Sequence, residues 1–325
     1  MNDNSAGDTS HGSGKAPAVL YPEVLDIDEQ ISRLASKGVD VSDYDSARKL
    51  LSGAGYARTM RYVRVMSRLD NKVPSVPRLL AAVRLESIFQ RIAHSHIVAF
   101  ERGFKSKLAA SLGSEYGPFA HLTADPFDCV RNFESFRKAC ERENGRRMNK
   151  RSAFLRRHRS PDGEYPIWIQ LEIIPFGTVS LLYSDLRAGI ARSGVSSAYG
   201  IDHAILQSWL RALVVLRNIC AHGGVLYGRQ LEQIPRAIQE FGDLDLRHAA
   251  GCVHVLLYMQ RVADPSASLR LVNDLAANFL RMDVDLLKPL GFGDGWFRLL
   301  QKVALDTRSP LTVIASEALS LGRVA

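Results

Sequence analysis

The chain lacks the sequence features on which membrane-spanning and strand-rich proteins depend. Its 325 residues contain no uninterrupted apolar run near the roughly 20 residues that a membrane span needs. Aromatic residues make up only 8% of the chain, and no alternating apolar pattern recurs at short spacing. These absences argue against an integral membrane protein and against an all-β sandwich.

Sequence motifs for metal, redox and nucleotide chemistry are also missing. The four cysteines form no C-x-x-C pair and no zinc-finger spacing, so we expect free thiols in a reducing compartment. We find no Walker-type phosphate loop, no dinucleotide-binding fingerprint and no Gly-x-Ser-x-Gly elbow. His94 and His96 flank a single residue and so face different sides of a helix. We therefore expect no metal site and no cofactor.

Residues 1–20 are rich in glycine, serine and aspartate and have no apolar core. This composition predicts a disordered tail, and it is unlike a signal peptide or a membrane anchor. We expect a cytoplasmic protein that does not bind a membrane.

The positive charge is concentrated in one segment. Between Arg131 and Arg159, eleven Lys or Arg residues and three Glu residues give a net charge of +8 within 29 residues, and the rest of the chain is neutral. A single basic segment on a neutral body indicates one surface that faces a polyanion. The alternative is a solvated, partly disordered loop.

Most of the chain after the tail has apolar residues at steps of three and four, which predicts an all-α protein. We expect a helical domain at residues 21–230, with a basic insertion at about residues 137–165. Residues 231–325 are expected to form a C-terminal extension of three to five helices, packed on the same body.

Several helix boundaries can be predicted from caps and breakers. A long helix is expected over Val76–Leu112, another from Asp125, a third over Thr178–Ala191, and a fourth that Asp202 caps and that ends at His222. Four arginines at steps of three and four residues cluster along one side of a further predicted helix: Arg58, Arg61, Arg64 and Arg68.

The residues most suited to catalysis are Arg217 and His222, which have Arg-x4-His spacing. Arg91 and His96 have the same spacing inside a continuous helix, so the spacing alone carries little weight. His222 differs because Gly223-Gly224 follow it and because a helix C-terminus favours a protonated imidazole by about 0.3–1 kcal/mol. A cation beside a titratable imidazole suits phosphodiester chemistry. The structural alternative is a capping histidine and a salt-bridged arginine.

The order and content of several blocks resemble the Abi family of bacterial abortive-infection proteins, whose phage-resistance members belong to the HEPN superfamily. The resemblance covers about residues 20 to 230. The blocks that carry it are Pro166-Ile-Trp168…Glu172…Phe176-Gly177…Leu181-Leu182-Tyr183, Leu216-Arg217-Asn218-Ile219-Cys220-Ala221-His222, Ile27-Asp28-Glu29-Gln30-Ile31…Leu34…Gly38, Gly55-Tyr56…Arg58…Tyr62 and Tyr116-Gly117-Pro118-Phe119.

The resemblance implies a HEPN-like helical bundle, with additional helices at both ends, and a metal-independent endoribonuclease. By that resemblance Arg217 would bind the scissile phosphate and His222 would transfer protons, leaving a 2′,3′-cyclic phosphate and a 5′-hydroxyl. Asn218 would orient one of the two, and Glu101 would hold Arg217 or His222. Cleavage needs both a base and an acid, so a homodimer with a composite site is expected.

RNA is the expected partner, as substrate or as a regulatory molecule. We also expect the protein to be restrained in uninfected cells, either by an antitoxin, by an RNA or through the need for a phage trigger. The residues expected to contact RNA are Arg146, Arg147, Lys150, Arg151, Arg156, Arg157, Arg159, Arg58, Arg61, Tyr227 and Arg229.

The chain departs from the family pattern at two places. Gly223 and Gly224 follow the histidine where further polar residues are usual, and Glu86 and Gln90 stand in the long helix where Asp and Arg are usual. Two alternatives to a nuclease therefore stay open. One is a non-catalytic member that binds a structured RNA, and the other is a HEPN-like scaffold for dimerisation.

Overall fold

The computed structural model describes residues 25–70, 73–148 and 153–305. The predicted all-α class is confirmed: 71% of the described residues are helical, and the described ranges contain no β-strand. The predicted tail at residues 1–20 lies outside these ranges. Among the described cysteines all four are free thiols, as expected.

Fourteen α-helices are present in the described ranges. The first seven are α1 (Ile27–Ser36), α2 (Tyr44–Ala54), α3 (Tyr56–Asp70), α4 (Val76–Tyr116), α5 (Val130–Met148), α6 (Ala153–Arg157) and α7 (Ile167–Ile173). The last seven are α8 (Phe176–Ser184), α9 (Ile190–Ser197), α10 (His203–Ala221), α11 (Ala249–Ala263), α12 (Pro265–Phe279), α13 (Val284–Leu287) and α14 (Trp296–Ala304).

Helix α4 is the longest element and forms the axis of the fold. It begins at Val76 as predicted, with Pro77 in its first turn, and it ends one turn beyond the predicted Leu112. Buried residues recur along its whole length, because α2, α3, α7, α9, α10 and α12 all pack against it. The helices beyond residue 231 thus share this axis with the helices before it.

Two predicted helix boundaries are wrong, and one tertiary contact explains both. The helix expected from Asp125 starts at Val130, and the helix expected over Thr178–Ala191 ends at Ser184. The chain after Ser184 leaves the helix and pairs with the segment before α5. The backbone N–H of Asp128 donates to the carbonyl of Asp185 at 2.9 Å, and the Asp185 carboxylate accepts the side-chain amide N–H of Asn132 at 2.7 Å. Local propensity favours a helix at both places, but the pairing of these two distant segments overrides it.

Helix α10 passes through the centre of the bundle, against α4, α8 and α11. Trp209 and Leu213 on it are fully buried. By length and composition alone α10 is apolar enough to cross a membrane, and it is the one helix of the described residues that passes this test. This helix contains no unbroken apolar run, since Arg211 and Arg217 interrupt it. We interpret α10 as a core helix.

Candidate functional site

The last turn of α10 carries three of the predicted site residues, Arg217, Asn218 and His222. His222 is the C-cap residue, and its backbone N–H donates to the carbonyl of Asn218 at 3.0 Å. Gly223 follows with φ at +63°, in the left-handed region that glycine adopts without strain. The chain therefore turns away directly after His222, which leaves the imidazole exposed at the end of the helix.

Glu101 on α4 faces Arg217 across the interface between the two helices. The Glu101 Oε2 atom lies 3.6 Å from the Arg217 Nε, and Oε1 lies 2.8 Å from the Nζ of Lys105. The Glu101 side chain is only 9% exposed, and Lys105 also donates to the carbonyl of Ile174 at 2.9 Å. The resemblance implied that Glu101 holds either Arg217 or His222. In the structure Glu101 lies beside Arg217.

The second Arg-x4-His pair has a different environment. His96 is buried, and its Nε2 lies 2.7 Å from the Asp274 carboxylate on α12. This contact joins α4 to α12. His96 therefore serves the packing of two helices, whereas His222 faces solvent.

The loop after His222 is held by two side chains of α4 that the sequence analysis treated only as departures from a family pattern. The buried Glu86 carboxylate accepts the backbone N–H groups of Leu226 and Tyr227, the latter at 3.2 Å. Gln90 donates from Nε2 to the carbonyl of Gly224 at 2.6 Å. Backbone groups of the loop thus replace solvent around a buried carboxylate.

Residues of α3 complete this anchor. The hydroxyl of Tyr62 donates to Glu86, and the Arg58 guanidinium lies 3.7 Å from the same carboxylate. Arg58 also donates to the carbonyl of Gly223 at 2.8 Å. Burial raises the pKa of Glu86, and the N–H groups of the loop and the charge of Arg58 oppose this effect. Arg58, which is also predicted to contact RNA, is engaged with the loop after His222.

A basic pocket of about 370 Å³ lies between α3 and this loop. It brings together three residues that the sequence analysis placed in RNA contact, Arg61, Tyr227 and Arg229. Arg64 and Arg68 also line it, and the arginine spacing along α3 was the signal that could have found them. Tyr227 is buried, and its ring packs against that of Tyr62 with centroids 5.1 Å apart.

The basic insertion lies on other elements. Arg146 is on α5 and pairs with Glu143 at 2.7 Å, Arg156 and Arg157 are on α6, and Arg159 donates to the carbonyl of Gly163 at 2.6 Å. Helix α5 packs against α7 and α8, away from the α3 pocket residues. Two further residues predicted to contact RNA, Lys150 and Arg151, lie outside the described residues. The side chain of Arg147, also predicted to contact RNA, lies outside them as well.

No group of three or more His, Cys, Asp or Glu side chains within the described ranges is arranged to hold a metal ion. A family model described as Abi-like protein matches residues 49–228, more than half of the chain. No curated protein and no solved structure matches the chain. The matched range ends at Gly228 and so includes α3, α4, α10 and the loop after His222.

Proposed function

The chain belongs to the Abi-like protein family, and from this premise we propose that it is a HEPN-type endoribonuclease that acts in abortive-infection defence against phage. The observation that carries the proposal is the placement of Arg217 and an exposed His222 on one helix end, with the buried Glu101 beside the arginine. The site would cut RNA in the cytoplasm. A partner molecule would restrain it, or it would stay inactive until a phage trigger appears.

The proposed reaction is attack of a 2′-hydroxyl on the adjacent phosphate. An imidazole takes the proton of the 2′-hydroxyl while its oxygen bonds to phosphorus, and Arg217 neutralises the phosphate charge. The bond to the 5′-oxygen breaks, and a protonated imidazole donates a proton to that leaving oxygen. The products are a 2′,3′-cyclic phosphate and a 5′-hydroxyl. The Glu101 carboxylate, at the Nε side of Arg217, would hold the guanidinium in place.

The reaction is tested by incubating purified protein with RNA in the presence of EDTA and analysing the product ends. We expect cleavage that EDTA does not abolish, with 2′,3′-cyclic phosphate and 5′-hydroxyl ends. Ends bearing a 5′-phosphate, or activity that EDTA abolishes, would contradict the mechanism. RNA that co-purifies and is never cleaved would favour the second candidate, a non-catalytic RNA-binding member. The glycines after His222, where the family has polar residues, are the feature that supports this candidate.

Because one chain supplies a single His222 at the motif, we propose a homodimer in which two copies of α10 share one phosphate. Side chains of α8 and α10 that the fold leaves uncovered offer a surface for this contact. Leu181 on α8 is 63% exposed and lines a pocket with Arg211 of α10, and Asn218 is exposed about two turns further along α10. A two-fold axis near these residues would bring the two helix ends together.

Replacing Leu181 with glutamate is expected to convert the dimer to a monomer and to abolish cleavage, because each protomer would bury an unpaired carboxylate at the interface. Light scattering after size-exclusion chromatography measures the mass. Leu280→Glu is the matched control, since Leu280 is 55% exposed beside the end of α12 and should leave the mass unchanged. A monomer that still cleaves RNA would rule out the composite site.

A further inference from the structure

The pocket between α3 and the loop after His222 is lined by arginines from successive turns of one helix. Arg61, Arg64 and Arg68 are all exposed and line the same pocket. At a rise of about 1.5 Å per residue, they extend over about 10 Å along α3. Arg229 lines the pocket from the loop side, so that four guanidinium groups surround one space.

These arginines are short of acidic partners. No carboxylate lies within 4.0 Å of Arg61, Arg64 or Arg68 in the described parts of the chain, and Arg229 pairs only with the exposed Glu232, at 2.9 Å. Many other exposed arginines are paired, such as Arg48 with Asp28 at 2.6 Å. Unpaired like charges side by side are unfavourable unless an anion joins them, so the pocket is suited to a ligand with several negative charges.

The wall of the pocket is rigidly built. Gly228 has φ at +70°, and a Cβ atom at this position would meet the Cγ2 of Val65 on α3 at 2.6 Å. The Gly228 N–H donates to the carbonyl of Pro289 at 2.9 Å. Any side chain would separate the loop from α3, so glycine permits the close approach. Val65, Val225 and Tyr227 supply an apolar surface between the arginines.

The pocket is joined to the proposed catalytic residue through Arg58. Arg58 lies one helical turn before Arg61, and it donates to the carbonyl of Gly223, the residue directly after His222. Val225, three residues after His222, lines the pocket itself. A strand whose phosphates lie along Arg61, Arg64 and Arg68 would therefore lead to the end of α10.

We propose that this pocket binds consecutive phosphates of single-stranded RNA on one side of the bond to be cut, with Arg64 and Arg68 as its principal phosphate contacts. This proposal rests on the proposed function, and it adds to it the form of the substrate. A cleft of about 370 Å³ can hold part of one strand. An RNA duplex is too wide to enter a cleft of this size, so it would reach these arginines only with phosphates at its surface.

The test uses full-length protein with the His222→Ala substitution, so that binding is measured without cleavage. Fluorescence anisotropy follows the binding of a labelled single-stranded RNA at several salt concentrations. The Arg64→Ala/Arg68→Ala double variant is compared with Arg281→Ala/Arg298→Ala, which removes the same charge from exposed positions in the C-terminal part of the fold. Circular dichroism checks that both variants fold as the parent does.

We expect the pocket variant to bind single-stranded RNA about tenfold more weakly, and the slope of log affinity against log salt to flatten by about 1.4, because two phosphate contacts are lost. The control pair should keep the affinity and the slope of its parent, and duplex RNA should bind more weakly than the single strand. Equal losses in both double variants, or preferred binding of duplex, would overturn the proposal.

Failure of this proposal can be distinguished from failure of the nuclease proposal. If wild-type protein never cleaves RNA but the pocket variant alone loses binding, the pocket stands as an RNA site and the nuclease mechanism falls. If wild-type protein cleaves RNA and the pocket variant behaves as its control does, the nuclease mechanism stands and the pocket assignment falls.

Discussion

Replacing His222 with alanine is expected to lower the rate of RNA cleavage by about 10²- to 10⁴-fold, the usual contribution of a general acid or base. In a composite site the effect should fall near the upper end, since one substitution removes both imidazoles from the dimer. The stability of the fold should not change, because His222 is exposed and its contact with the helix is made by its backbone N–H.

His203→Ala is the matched control for this measurement. His203 is a half-buried histidine in the first turn of α10, at the opposite end of that helix from His222, and its loss should leave the cleavage rate within about twofold of wild type. Arg217→Ala should approach the effect of His222→Ala, because the two residues act on the same phosphate. Cleavage that survives both substitutions would place the catalytic residues elsewhere in the chain.

Replacing Glu86 with alanine is expected to lower the free energy of unfolding by about 3 kcal/mol, the cost of breaking a buried, hydrogen-bonded charge network. The substitution leaves the Tyr62 hydroxyl, two backbone N–H groups of the loop and the Arg58 guanidinium without their shared acceptor. Urea unfolding followed by circular dichroism measures the change. Glu134→Ala on α5 is the control, since Glu134 is exposed and its loss should change stability by less than about 0.5 kcal/mol.

Glu86→Gln separates stability from positioning. The amide keeps the size of the side chain and one acceptor oxygen, so the protein should stay folded with a smaller loss of stability. Both loop N–H groups bond to Oε1, so the amide oxygen can keep them, but the amide nitrogen then replaces Oε2 and cannot accept the Tyr62 hydroxyl or pair with Arg58. Arg58 also holds the Gly223 carbonyl, so the start of the loop after His222 should shift. We expect kcat to fall by more than KM rises, because Arg61 and Arg64 still line the RNA pocket. Unchanged kcat in a folded Glu86→Gln protein would mean that the anchor does not position His222.

Most helices could be predicted from the sequence because their boundaries depend on local chemistry. Asp26 and Asp43 cap α1 and α2 through bonds to backbone N–H groups a few residues later. Glycine ends α2 and α4 in the left-handed region. The two wrong boundaries, at the start of α5 and the end of α8, are decided by the pairing of residues 126–128 with residues 185–187, which lie far apart in the sequence.

The candidate site was predicted only in part, for the same reason. Arg217 and His222 share one turn and a half of helix, so their proximity follows from helix geometry. The contact of Glu101 with Arg217 was suggested by a resemblance and could not be derived from spacing. Glu86 appeared only as a departure from a pattern, since nothing local shows that a carboxylate will receive the N–H of Leu226, which lies 140 residues away.

The all-helical class, the helix end that carries Arg217 and His222, and the concentration of positive charge can all be derived from the amino-acid sequence. They follow from periodicity, caps and composition, which are local. That the arginines of α3 form a pocket beside the loop after His222, lined by none of the residues of the basic segment, depends on how distant parts of the chain pack. The packing of α3, α4 and α10 places these residues together, because burying their apolar faces brings distant parts of the chain into contact.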